Sequence, residues 1–418
     1  MSVYQPSVEL PAGMGDVWAE IDLDAIAENT RNICSLLKPR TRFAVVVKAD
    51  GYGHGAVQVA RTALENGATD VAVSTVAEGV QLRHAGITSP ILVMGGISPE
   101  QSELVVEHDF TPFVFRREVA EALSYFAQLN NIQLPVHLKI NTGLNRFGVD
   151  FEDALDFMER VGSLPSIRWE GACTHLIKVS GPNDPTAQKQ WQRFNSTVEK
   201  LAQTGYKFEY LHAAKSAALL AFPDMAMDMV RVGNLIYGME VLPELQREVG
   251  FRPAFKMFGR VTMLHELQRG ESVGYGAEFT APHPMKVAVI SVGFTDGWGL
   301  TVRKSMFTWR NLFKEMLRKL IGTTFIGKKI FRTPNGSVQI GQHVCPVIGQ
   351  VSMQQVFVDV SAVDSVQIGS AAYLHCKPTL VRRSIPRLYV KGGSFHQVRP
   401  ASGHIRFRRE ASSAEDLS

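Results

Sequence analysis

Residues 43–75 read FAVVVKADGYGHGAVQVARTALENGATDVAVST, and the fold turns on how this stretch is parsed. FAVVVKA (43–49) is a short, valine-rich apolar run, which marks a buried strand. GAVQVARTALENG (55–67) spaces its apolar residues at helical intervals and stops at a glycine. DVAVST (70–75) returns to the strand pattern. Strand, helix and strand in close succession make a βα repeat whose strands run parallel.

The repeat continues. ILVMG (91–95), PFVF (112–115), PVHLKI (135–140), WEGACTH (169–175), FEYLHAA (208–214) and DMVRVG (228–233) complete eight strand-like runs. DFEDALDFMERVGSL (150–164) and AQKQWQRFNSTVEKLAQTG (187–205) fill gaps between them with helical period. Eight parallel βα units is the count of a (β/α)8 TIM-type barrel. A doubly wound open sheet is the alternative that spacing leaves open. After Gly238 the texture becomes alternating and glycine-punctuated without intervening helices, as in MKVAVISVGF (285–294) and NGSVQIGQHVCPVIGQVSMQQVFVDVS (335–361), so a mostly-β domain follows the barrel. The expected division is an N-terminal extension (1–16), a barrel (17–248), a β domain (249–391) with a basic insert near 303–332, and a loose tail (392–418).

Composition narrows the class. The chain has 418 residues, 45% hydrophobic and 20% charged, which suits a globular protein with a full core. No apolar run reaches the roughly 18 residues of a membrane span, and no start resembles a signal peptide, so a cytoplasmic location is expected. Cys34, Cys173, Cys345 and Cys376 share no CxxC spacing, which argues against zinc and against a disulfide framework. The net charge of +4 is local: between Arg303 and Arg332 nine Lys/Arg face one acid, Glu315. Basic charge confined to one segment does not suit a nucleic-acid-binding face. Within it, MFTWRNLFKEMLRKLI (306–321) has helical period with Arg310, Lys314 and Arg318 on one stripe, the pattern of a helix covering a core or of a lid.

Lys48 ends the first strand. In a barrel, C-terminal strand ends face the active site. A lysine buried there tends to have a depressed pKa, which suits condensation with an aldehyde, although a lysine snorkelling at a loop edge reads the same way.

VVVKADGYGHG (45–55) resembles the pyridoxal 5'-phosphate (PLP) lysine motif of the alanine racemase family. The resemblance runs in family order through HLKINTGLNRFGV (137–149), THL (174–176), HAAKSAALLAFPD (212–224), DMVRVGNLIYG (228–238), VGYGAEF (273–279) and GFTDGW (293–298), nearly the whole chain. It implies a PLP-binding barrel, a C-terminal β domain, and a head-to-tail homodimer in which the partner's β domain completes each site. Lys48 would hold PLP as a Schiff base and act as base on one face of the substrate α-carbon, with Tyr275 of the other subunit on the opposite face. Removing a proton on one face and returning it on the other is what racemisation needs. Arg231 would face the pyridine nitrogen, where its pKa above 12 lets it lend no proton. His175 would hold Arg231 or Tyr275 in place. Arg146 would reach the PLP phenolic oxygen and the substrate carboxylate, and Lys139 matches a lysine that is carbamylated in many family members. Tyr52, Ser216 and the amides around Gly233 and Asn234 would meet the phosphate, and Met353 would present its amide to the substrate carboxylate. His54 is assigned to packing.

Several positions depart from the family pattern. Ser352 and Gln354 stand in SMQQ where CMDQ is usual, Gln350 replaces an arginine, Ser180 an acidic residue and Phe294 a tyrosine. Arg383, in RSIPR, stands where a phosphate-touching tyrosine is expected. These changes line one passage and suggest a different substrate: alanine is the default, but it need not be the best one. A PLP-dependent decarboxylase-like barrel is disfavoured by Arg231, since an acid is usual at the pyridine nitrogen there. A PLP-binding protein without turnover is disfavoured by the presence of both proposed bases.

Overall fold

A computed structural model describes residues 5–299 and 336–399 apart from positions 9, 12 and 13, together with the backbone of residues 406–407. The basic insert lies outside the described residues. Two compact units emerge, Asp22–Ala254 and a second made of Met1–Ile21 with Phe255–Ser418.

In the first unit the eight strand-like runs form eight parallel strands: β2 (Arg42–Val46), β3 (Asp70–Val73), β4 (Ile91–Val93), β5 (Phe110–Val114), β6 (Leu134–Asn141), β7 (Ile167–Cys173), β8 (Tyr210–His212) and β9 (Met229–Val232). They are ordered β9-β2-β3-β4-β5-β6-β7-β8, with the short Val149–Asp150 strand beside β6. The circle is completed between β8 and β9 by Asp228 N donating to Leu211 O at 3.1 Å and Arg231 N to Ala214 O at 3.1 Å. This is the barrel, and the open-sheet alternative falls.

Strand period then decides what each side chain meets. On β2, Phe43 and Val45 pack in the cluster with the surrounding helices, whereas Ala44 and Val46 share a small cluster with Ala72, Leu92, Phe113, Cys173 and Met229 from the other strands. The second cluster is the barrel lumen. Lys48 continues the even, inward series. Lys139 and Arg231 alternate in the same way with the outward Leu138, Ile140, Val230 and Val232.

In the second unit, β10 (Phe255–Leu267), β11 (Met285–Ile290), β12 (Ser337–Ile340), β13 (His343–Ile348), β14 (Val356–Asp359) and β15 (Ala371–Leu374) are antiparallel. β11, β14, β13, β12, β15 and β10 pair in that order, and β11 also pairs with β10, so the six strands close on themselves. Two findings differ from the sequence reading. Residues 17–22, which that reading places in the barrel segment, form β1 (Val17–Asp22) and pair antiparallel with β10, setting Trp18 opposite Phe258. The pairing spans more than 200 positions of sequence, so no local pattern reports it. Residues 394–399, which composition reads as tail, form β17 (Ser394–Arg399) against β16 (Arg387–Lys391). The turn is Gly392–Gly393, both at positive φ (59° and 68°), the geometry that two-residue hairpins prefer.

Among the described residues the longest helix, Pro185–Gln203, begins on a built cap. Asp184 accepts from the amides of Thr186 (2.9 Å) and Ala187 (3.3 Å) and from Ser180. Among the described residues no helix is long and apolar enough to cross a membrane. Replacing Asp184 by Ala is expected to lower stability by roughly 0.5–2 kcal/mol in urea unfolding, with Asp184→Asn retaining most of it. Equal losses for both variants would remove the cap from the account.

Candidate active site

The barrel's C-terminal mouth holds a cavity of about 240 Å³, a volume for one small molecule. Its wall carries four cations, Lys48, Lys139, Arg146 and Arg231, with His175 among them and Phe113, Met94, Leu144 and Phe147 as the apolar part. Each polar member follows or ends a barrel strand, where the sequence reading places it.

Lys48 is half-buried. Desolvation, then the nearby Arg146 charge, lowers its pKa, against a smaller opposing pull from Glu78. The chain leaves it through an unusual turn. From Ala49 to Gly53 every residue has positive φ, 52°, 57°, 60°, 53° and 88°, closed by Gly51 N donating to Val47 O (2.7 Å) and Gly53 N to Ala49 O (3.2 Å). Left-handed backbone costs a non-glycine residue roughly 1–2 kcal/mol. Part of this is offset by Glu78, which accepts from Ala49 N at 2.7 Å, and by Asp50, which accepts from Ala56 N at 3.1 Å.

The turn returns Tyr52 to the mouth, 6.0 Å from Lys48 Nζ to its ring centroid. Its hydroxyl lies so close over Gly233 that a Cβ at residue 233 would come within 2.7 Å of the oxygen. Burial pushes the Tyr52 phenol up to about 12, so it stays a donor. Ser216 Oγ is 3.5 Å from Leu235 N, on the same short turn that starts at Asn234. Two hydroxyls and a side-chain-free stretch of backbone therefore meet, a cradle whose chemistry fits a phosphate. His54 packs its ring 4.4 Å from that of Tyr237, whose hydroxyl donates to Val46 O at 2.9 Å.

Arg231 is 3% exposed and forms no ion pair among the described residues. Its Nη1 donates to His212 Nδ1 and to His212 O (3.2 Å), and its Nη2 to Thr174 O (2.6 Å) and Ala213 O (3.5 Å). None of these bonds goes to His175. His175 is held well below its ordinary pKa by burial and then by the charges of Lys139, Arg231, Lys215 and Arg146, so it is neutral. Lys215 Nζ donates to Leu176 O at 2.8 Å and so ties down the segment after His175. Arg146 stands on the loop after β6, 5.7 Å over the Phe147 ring.

Tyr275, Met353 and Arg383 belong to the second unit. Tyr275 is 89% exposed on a turn flanked by Gly274 and Gly276 at positive φ. Met353 is on a loop held against 293–298: Thr295 Oγ1 and N donate to Met353 O at 2.7 and 3.1 Å, and Phe294 N to Ser352 O at 3.1 Å. Gln350 donates to Glu278. Arg383 is exposed on a loop whose carbonyls at Val381, Arg382 and Ile385 accept from the fully buried Arg387.

Sequence reasoning missed Met94, Phe113 and Phe147 in the wall and His212 and His137 beneath Arg231. The first two sit in predicted strands, so strand ends were the available signal for them. The histidines needed register.

The family model described as alanine racemase, N-terminal domain, matches residues 21–241, and the C-terminal domain model matches 254–324 and 327–385. The alanine racemase of Nostoc sp. is 36% identical over 362 residues, covering 85% of this chain and 86% of that protein. That of Desulfovibrio desulfuricans is 32% identical over 394 residues, covering 90% and 98%. Among solved structures, the alanine racemase of Clostridium difficile superposes with a TM-score of 0.81 at 26% identity, over 93% of this chain and 99% of that one. The biosynthetic enzyme of Pseudomonas aeruginosa gives 0.72 at 26%, over 90% and 100%.

Lys139, 6% exposed, has its pKa lowered from the usual 10.5 to about 7, by burial first and then by the charges of Arg231 and Arg146, against Cys173. Between these values the unfolded chain binds the proton that the folded chain has lost, so stability rises with pH. In CO2-free buffer the wild type should therefore gain on Lys139→Met as pH rises from about 7 toward 10, approaching one proton's slope. Parallel stability curves would show that the amine is not desolvated. The cavity, its cations and the matched domains place the chain in one lineage: it belongs to the alanine racemase family.

Proposed function

We propose that the chain is a PLP-dependent amino-acid racemase that interconverts L and D enantiomers, with alanine as its default substrate. The observation that carries this is a half-buried amine, Lys48, opening onto the same cavity as Arg146 and Arg231. Burial shifts that amine toward its neutral form, the form a base needs. PLP, bound there, supplies an electron sink that acidifies the substrate's α C–H.

Lys48 Nζ would hold the cofactor, and Tyr52, Ser216 and the backbone at Gly233 and Asn234 its phosphate. Arg231 would donate a hydrogen bond to the ring nitrogen but no proton, which keeps the ring a weak sink and favours prompt return of the proton to the α-carbon. Arg146 orients the substrate carboxylate and Lys48 Nζ exchanges the proton on one face. Tyr275 Oη exchanges it on the other. Its exposure supports a homodimer in which each chain lends that phenol, with Met353, to its partner's site. Arg383 adds a cation suited to a second anionic group.

The dimer assignment has a direct test. Lys48→Ala and Tyr275→Phe should each lose at least about a hundredfold in racemisation, the scale of a removed acid or base. Mixing the two inactive variants should restore activity, because a mixed dimer contains one site with both bases. Mixtures as inactive as their components would sink the shared site. An enantiomer panel of alanine, serine, lysine, aspartate and glutamate tests the substrate.

Lys139 is proposed to be carbamylated. Its neutral amine attacks CO2, the N–C bond forms as one C=O π pair moves onto oxygen, and one N–H proton leaves to solvent, so that a neutral amine becomes an anion beside Arg146 and Arg231. Isotope-labelled bicarbonate should give a carbamate NMR signal that is absent in Lys139→Ala. No difference between the two would overturn the assignment.

A further inference from the structure

Arg231 is the end of a buried chain of hydrogen bonds, and the chain has a direction. A guanidinium only donates, so the His212 Nδ1 that faces Arg231 Nη1 carries a lone pair. The His212 proton is therefore on Nε2, which faces His137 Nδ1 at 2.8 Å. His137 Nδ1 must accept, and its own proton sits on Nε2, facing Glu170 Oε2 at 3.3 Å. A carboxylate accepts. The other carboxylate oxygen of Glu170 takes Arg168 at 2.7 Å, and Arg168 is 47% exposed. One assignment of protons satisfies every link.

We propose that Glu170, acting through the tautomers of His137 and His212, sets the hydrogen-bonding state of Arg231 and is a positioning residue for the active site.

The surroundings are built for this chain. His137 and His212 are 1% and 0% exposed. Phe113 stacks on His137 with ring centroids 5.9 Å apart and an interplanar angle of 13°, and meets His212 edge-on at 5.7 Å. A Cβ at Gly171 would lie 2.9 Å from three His137 ring atoms, so the ring packs flat on bare backbone. The β6–β7 ladder shifts register here: Val136 pairs with Trp169, but His137 pairs with Gly171. Glu170 is the extra residue, and bulges of this kind re-aim a side chain. Both imidazoles are held below the usual histidine pKa, first by burial; at His137 Glu170 pulls the other way without reversing this, and Arg231 lowers both, so they stay neutral and the directional chain holds. Burial pushes the Glu170 carboxyl up, but hydrogen bonds from His137 and Arg168 outweigh it and leave it ionised.

Glu170→Gln reverses the logic without changing the shape. Arg168 can only donate, so it takes the amide oxygen and turns the amide NH2 toward His137. His137 must then accept at Nε2, and its proton moves to Nδ1. His212 follows and presents an N–H to Arg231, two donors face to face. The guanidinium loses that partner and its seat.

The consequence for catalysis rests on the racemase reading; the tautomers do not. Nitrogen NMR of the histidine-labelled holoenzyme should show two neutral Nε2–H imidazoles in the wild type and two Nδ1–H imidazoles in Glu170→Gln. Arg168→Met combined with Glu170→Gln frees the amide to turn its oxygen to His137, so the double variant should return to the wild-type tautomers. Racemisation by Glu170→Gln should fall by about tenfold or more in kcat, the scale of one hydrogen bond to a charged group, and recover in the double variant. Unchanged tautomers in Glu170→Gln, or inverted ones persisting in the double variant, would overturn the proposal even if activity falls. Inverted and rescued tautomers in a chain with no racemase activity would uphold it and sink the functional reading instead.

Discussion

Four cationic side chains face one small cavity, and the rest of the site follows from that constraint. Like charges this close repel, and burial strengthens the repulsion because little water remains to screen it. The molecule eases the strain by letting some amines lose their protons, which is the direction found for both Lys48 and Lys139. What the guanidinium groups cannot shed, an anionic ligand must answer. A cofactor with a phosphate and a phenolate, joined by a substrate carboxylate, would supply negative charge where the wall is positive. Selectivity for such a ligand is therefore set before any individual contact is considered.

Arg231 shows a second way of keeping a charge indoors. Among the described residues no carboxylate touches it. Backbone carbonyls and one imidazole lone pair solvate it, and the nearest acid of its chain stands two histidines away. Direct pairing would give a stronger local bond but would neutralise the group that faces the cavity. Distance preserves the field at the mouth while the acid still orders the donors and acceptors.

Much of this was legible in sequence. The barrel strands are buried on both faces, so they appear as continuous apolar runs, and the lysine ending FAVVVKA stands out against them. Period-two alternation carries Lys48, Lys139 and Arg231 inward. What escaped depends on partners far apart in the chain. β1 finds β10 only in three dimensions, and Glu170 reaches His137 only because the ladder slips by one residue. Glu170 alternates on paper to the wrong side. The Gly392–Gly393 hairpin was readable from its turn, but the polar residues around it masked the strands.

The five-residue turn after Lys48 has a handedness that ordinary residues resist. Its dihedral angles are those a right-handed helix of D-residues would show in a mirror. Ala49, Asp50 and Tyr52 occupy positions that their own chirality disfavours, and at each a D-residue would relax rather than distort the chain. A segment that presents the cavity-facing amine of Lys48 is thus held in a shape the L-polypeptide does not seek alone, and the surrounding barrel enforces it.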